Sequence, residues 1–122
     1  MRTPADPAAY IAAVLALYTG LPETPARDGI SDHSLARRFC ETEIPLNTVE
    51  TALLLGSLRR LARPAEAPPL PPIRSLAYFR PVIQEIQSNP VDETYLEYLR
   101  LKLRRASTLS ANTQKSTFSD DR

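Results

Sequence analysis

Apolar residues recur along the chain at helical spacing in five stretches, set apart by proline- and glycine-marked breaks and with few strand-like alternations. The first stretch, 7–19, places Tyr10, Ile11, Val14, Leu15 and Tyr18 on one face. Asp6 stands as its cap, Pro7 suits its first position, and Gly20 followed by Pro22 stops it. The second, 32–43, turns Leu35, Ala36, Phe39 and Cys40 inward, with Ser31 as cap and Asp32 near the positive end of the helix dipole. The third, 47–63, has Asn47 and Glu50 at capping-box spacing and stops before Pro64. Its run VETALLLGSLRRL is apolar round most of its circumference, which marks a central helix. A proline-rich connection leads to a fourth helix over 76–87, capped by Ser75 and either bent or restarted at Pro81. The fifth, 90–105, starts with Asn89 and Pro90 and turns Val91, Tyr95, Tyr98 and Leu99 inward. From Ala106 the chain is rich in Ser, Thr, Asn and Gln without apolar period, and a disordered polar tail over 106–122 is expected.

The pattern predicts an all-α, compact bundle of about five helices in one domain spanning 1–105. Composition agrees: among 122 residues only three are glycine, while Ala, Leu and Arg dominate. A single cysteine, Cys40, leaves no internal disulfide and no cysteine-rich zinc site. No run reaches the ~20 apolar residues of a membrane helix. Asp6 and two prolines precede the short apolar stretch at the start, and no small-residue cleavage site follows it. A cytoplasmic protein without a membrane contact is the expectation.

Net charge is only +1, but residues 59–105 carry nine basic side chains against five acidic ones. Arg100, Lys102, Arg104 and Arg105 crowd the end of the fifth helix with no acid among them, and Arg59, Arg60 and Arg63 close the third. Such clusters can neutralise phosphates without reading sequence; equally, they complement the negative ends of their helices.

Other chemistries find little support. The one histidine, His33, has no second histidine at i+4 and no cysteine at metal spacing. There is no glycine-rich phosphate loop and no nucleophile elbow. Asp92, Glu93 and Glu97 read as a helix start and a solvated face, so no enzyme, cofactor, metal or small-molecule substrate is expected. LARRFCETEIPLNTVETAL has the rhythm of a helix-turn-helix, with Leu35, Ala36, Leu46 and Val49 packing between its helices. However, its second helix offers Thr48, Glu50 and Thr51 and then leucines, a poor set for reading bases. PPLPPIR places Pro69, Pro72 and Arg74 as in proline-rich ligands, but it lies between two strong helices, where proline stiffens a strap.

IRSLAYFRPVIQEI sets Tyr78, Val82 and Ile86 at four-residue spacing after a short loop. With the preceding PLNTVETALLLGSLRR, residues 31–87 resemble the C-terminal helical domain of DnaD-type primosome proteins. Ile86 replaces that family's tryptophan and Pro81 interrupts its motif. The resemblance implies a module that binds DNA weakly and contacts protein partners of a bacterial replication or mobile-element apparatus, with the family's basic segment falling near Arg100–Arg105. The alternative is a small adaptor that binds only protein, and its sign would be an exposed apolar face on the first or fifth helix.

Overall fold

The computed structural model describes residues 6–110, with side chains to Ala106. It is an all-α bundle of five helices: α1 (Pro7–Thr19), α2 (Ile30–Glu41), α3 (Leu46–Leu61), α4 (Arg80–Ser88) and α5 (Glu93–Ser110), with a 3-10 turn at Leu76–Phe79. α5 continues to Ser110, so residues 106–110, expected to open a disordered tail, are helical; residues 111–122 of that expectation lie outside the described part.

α1 forms from local signals. The Asp6 carboxylate accepts a hydrogen bond from the Ala9 N–H at 3.2 Å, and Pro7 opens the helix. All five residues of its expected inner face are buried. Tyr10 donates its hydroxyl proton to the Ile44 carbonyl at 2.6 Å, tying α1 to the α2–α3 turn.

α2 starts and ends differently from its sequence signals. Gly29, not Ser31, is the N-cap. Asp32, only 3% exposed, reaches back to the Gly29 N–H at 2.8 Å and with its other oxygen accepts the Leu76 N–H at 2.9 Å. One carboxylate thus satisfies orphan donors of two helix starts, the second of them 44 residues on from Asp32. It also does the capping expected of Ser75, whose hydroxyl caps nothing. The far end of α2 closes at Glu41 with Glu43 in the left-handed region (φ 59°). The Ile44 and Glu43 N–H groups bond back to the Phe39 and Cys40 carbonyls. This is a Schellman closure carrying Glu where Gly is usual, and Ile44 and Phe39 bury the accompanying apolar contact.

α3 packs against α1, α4, α5 and the 3-10 turn, which makes it the central helix. Leu46, Val49, Ala52, Leu53 and Leu54 are buried, as are Glu50, Thr51 and Ser57. Its start corrects the capping-box expectation: Pro45 occupies the N-cap, Asn47 lies inside the helix, and Glu50 turns into the bundle. Gly56 has a packing reason, since a Cβ there would lie 2.9 Å from two ring carbons of Phe79.

The strap between α3 and the 3-10 turn folds back on the molecule. Ile73 is buried and donates its N–H to the Glu23 carbonyl at 3.0 Å. Leu76 and Phe79 then enter the core, and Pro81 sits in the first turn of α4, so the helix restarts there rather than bending. Because a 3-10 turn precedes α4, Tyr78 does not share one inward stripe with Val82 and Ile86. Phe79, Ile83 and Ile86 point inward, and Tyr78 stays 43% exposed.

Candidate interaction surface

α5 packs mainly on one neighbour, α3. Leu96, Leu99 and Leu103 make that contact. Beside them Arg100 extends its guanidinium to Glu50, with Nε and Nη2 each 2.8 Å from a carboxylate oxygen, while Nη1 meets Glu97 on its own helix. The Glu50 side chain is 6% exposed. A carboxylate so buried requires a partner, so this pair sets the rotation of α5. The hydrogen bonds that Arg100 donates to Glu50 raise the Arg100 pKa further and keep the charge in place.

That rotation overturns the expected inner face of α5. Of Val91, Tyr95, Tyr98 and Leu99, only Leu99 is buried. Val91 is 39% exposed and precedes the helix, which opens at Glu93 rather than at Pro90; Tyr95 is 36% exposed, Tyr98 52% and Leu101 42%. The rings of Tyr95 and Tyr98 stack at 6.1 Å, and Lys102 lies 5.5 Å over the Tyr98 ring while donating to its hydroxyl. The result is an aromatic and aliphatic stripe facing solvent along a helix that the bundle touches on one side. The signal for it was in the sequence. α5 carries two apolar stripes, and leucine is more often fully buried than tyrosine.

The basic residues expected to hold phosphate fall into two groups. Glu50, in the first turns of α3, meets Arg100, near the middle of α5, and Arg59 lies electrostatically close to Tyr95, near its start. The two helices therefore run antiparallel, and Arg59, Arg60 and Arg63 sit at the opposite end from Lys102, Arg104 and Arg105. The first group is engaged internally. Arg59 makes a forked pair with Glu85 at 2.9 and 2.6 Å, and that hydrogen bond holds the Glu85 carboxyl below its usual range. The Arg60 side chain is 6% exposed, bonded to Glu23 and the Pro71 carbonyl and lying against the Tyr78 ring. Arg63 donates to the Pro68 carbonyl at 2.7 Å. Arg60 and Arg63 clamp the strap to the end of α3, and Arg59 ties α3 to α4. Arg104 and Arg105 are exposed on the last described turns of α5.

The helix-turn-helix reading does not fit the burial. The helix that would enter a groove is α3, which is enclosed by the bundle. His33, Arg37 and Cys40 border an open groove between α1 and α2, and among the described residues no cluster of three His, Cys, Asp or Glu side chains could hold a metal ion. No described helix is long and apolar enough to cross a membrane. In the proline strap Pro69, Pro72 and Arg74 are exposed while Ile73 is buried against the core, so the segment is anchored rather than open.

No family model matches the chain, and comparison with curated proteins and with solved structures gives no match.

Proposed function

We propose that this chain is a non-enzymatic protein-interaction module whose working surface is the outer face of α5. One observation carries the reading: Tyr95, Tyr98 and Leu101 stand exposed on a helix with one main neighbour, and Val91 stands exposed just before it. Isolated exposed apolar residues are ordinary, but a stacked pair of tyrosines flanked by aliphatic side chains has the composition of a contact centre. Tyrosine brings large area at low entropic cost and is enriched among residues that dominate interface energy. A photo-crosslinking amino acid at position 98 of the full chain, introduced in its native cell, tests this. Capture of a defined protein that resists nuclease and moderate salt, and is lost with Tyr95→Ala, supports it. Crosslinking no stronger than from an exposed position on α2 refutes it.

A second reading, a DNA-associated module of a bacterial replication or mobile-element apparatus, has its own support. Lys102, Arg104 and Arg105 lie exposed near the end of α5, and residues 31–87 resemble the DnaD-type helical domain. The engagement of Arg59, Arg60, Arg63 and Arg100 with internal partners leaves it the weaker of the two. Mobility shift on duplex and single-stranded DNA at low and moderate salt decides it. Salt-sensitive binding lost on neutralising those three residues to Gln puts this reading first; no binding removes it.

A further inference from the structure

Ser31, Ser34 and Arg38 share one face of α2 at helical spacing, and Ser75 and Arg80 meet them from the 3-10 turn and the start of α4. Together they border an open crevice of about 420 Å³ that no residue of α5 lines. We propose that this crevice binds the dianionic phosphate of a small phosphomonoester. The proposal does not depend on the reading of α5. What marks the crevice is charge left uncompensated. Arg59, Arg60 and Arg100 each hold an acid of this chain, and Arg63 holds a carbonyl. The guanidiniums of Arg38 and Arg80 have no ion pair or hydrogen bond among the described residues. Arg80 is also the first residue of α4, at the positive end of its dipole, where a cation is disfavoured, and no acid stands in that turn. The hydroxyls of Ser31, Ser34 and Ser75 likewise have no partner among the described residues. The one acid on the wall, Asp32, is 3% exposed, and its two oxygens already accept the Gly29 and Leu76 N–H groups. Two cations thus face the opening against one anion turned into the bundle.

The donors select the ligand. A guanidinium presents paired N–H groups that match two oxygens of a phosphate. The Arg38 side chain leans toward the N-terminus of α2, as helical side chains do, which brings it back over the turn that carries Ser34. Two such forks and three hydroxyls supply more donors than a carboxylate or a phosphodiester, each with two free oxygens, can use. A phosphomonoester brings three acceptor oxygens and close to two negative charges. Leu35 and Ala77 lie on the same wall and leave apolar surface for the carbon part of an ester. The volume falls in the range of small-molecule pockets. No glycine-rich loop is needed, because the donors are side chains that the fold gathers from segments far apart in the sequence.

Amide NMR of the full chain in phosphate-free buffer at low salt tests the site, with inorganic phosphate, phenyl phosphate, dimethyl phosphate and acetate as probes. The expected result is saturable movement of the Ser31, Ser34, Ser75 and Ala77 amides with inorganic phosphate. A dissociation constant on the order of 1 mM suits a site open to water. Phenyl phosphate should bind at least as tightly, and dimethyl phosphate and acetate about tenfold more weakly, since each forfeits at least one charge-assisted hydrogen bond. Arg38→Gln and Arg80→Gln should each lower phosphate affinity about tenfold for the same reason, with the circular dichroism spectrum unchanged. Arg37→Gln removes the same charge from α2 outside the crevice and should change affinity by no more than about twofold. No saturable shift overturns the proposal, as does indifference to Arg38→Gln and Arg80→Gln or an equal loss with Arg37→Gln. Dimethyl phosphate binding as tightly as phenyl phosphate overturns it in favour of a diester backbone, and exclusion of phenyl phosphate overturns the ester.

Discussion

Removing Arg100 should cost far more stability than removing its partner Glu50. The two side chains are bonded twice at 2.8 Å, but their surroundings differ: Glu50 is 6% exposed and Arg100 21%. With charge centres about 4 Å apart and an effective dielectric near 20, the attraction is about 4 kcal/mol. Desolvation of both groups offsets most of it. The asymmetry appears when one partner is deleted. Arg100→Met strands a carboxylate inside the α3–α5 contact, at a cost of about 3 kcal/mol. Glu50→Leu leaves a guanidinium that keeps Glu97 and can swing into water, at about 1 kcal/mol. The double variant, apolar on both sides, should lie within about 1 kcal/mol of the parent, giving a coupling of about 3 kcal/mol. Urea unfolding followed by circular dichroism at 222 nm measures the cycle, and thermal melts should show Arg100→Met lower by about 12 °C. The reasoning fails if Arg100→Met costs no more than Glu50→Leu, or if the two costs add.

Burial should make the inner tyrosines alkali-sensitive. Burial, and secondarily the nearby Cys40, raises Tyr10 to about 12, and burial, then Asp32, raises Tyr18 to about 12. Because the folded values lie above the unfolded value of 10.0, this stabilisation is complete below about pH 10 and is lost as pH climbs toward 12. For the two hydroxyls together this amounts to about 5 kcal/mol, so absorbance at 295 nm should show two tyrosines ionising together with loss of helix in that window; their ionisation while the helix signal holds would contradict it. The two residues should also separate under mutation. Tyr10→Phe gives up the bond to Ile44 and should cost about 1–2 kcal/mol in urea unfolding, whereas the Tyr18 hydroxyl has no protein partner among the described residues and Tyr18→Phe should be neutral or stabilising. Gly56→Ala improves helix propensity by about 1 kcal/mol yet drives a methyl into the Phe79 ring, and its melting temperature should fall for a net loss of about 1–2 kcal/mol. Glu43→Gly removes a side chain from a left-handed position and should raise stability by about 0.5–1 kcal/mol, read from the urea midpoint.

Sequence by itself determined the all-α class, the existence of the helices and the whole of α1. The reason is that these depend on short-range chemistry. Asp6, Pro7 and Gly20 act within one turn of themselves, and five apolar residues at helical spacing define a single face. The centrality of α3 was equally visible, because a helix apolar nearly all round has few other places to go. Only the tertiary structure decided matters that turn on residues far apart in the chain. Asp32 looked like a dipole residue of α2 and proved to cap the 3-10 turn as well, a contact across 44 positions. Glu50 read as half of a capping box and is instead the buried anion that orients α5. That pairing chose between the two apolar stripes of α5, turning the leucines inward and the tyrosines out. It also held Arg100 at the α3–α5 contact, while Arg59, Arg60 and Arg63 found partners on α4, at Glu23 and on the strap. Local periodicity specifies that a helix has a face to bury, but a buried charge and its distant partner specify which face.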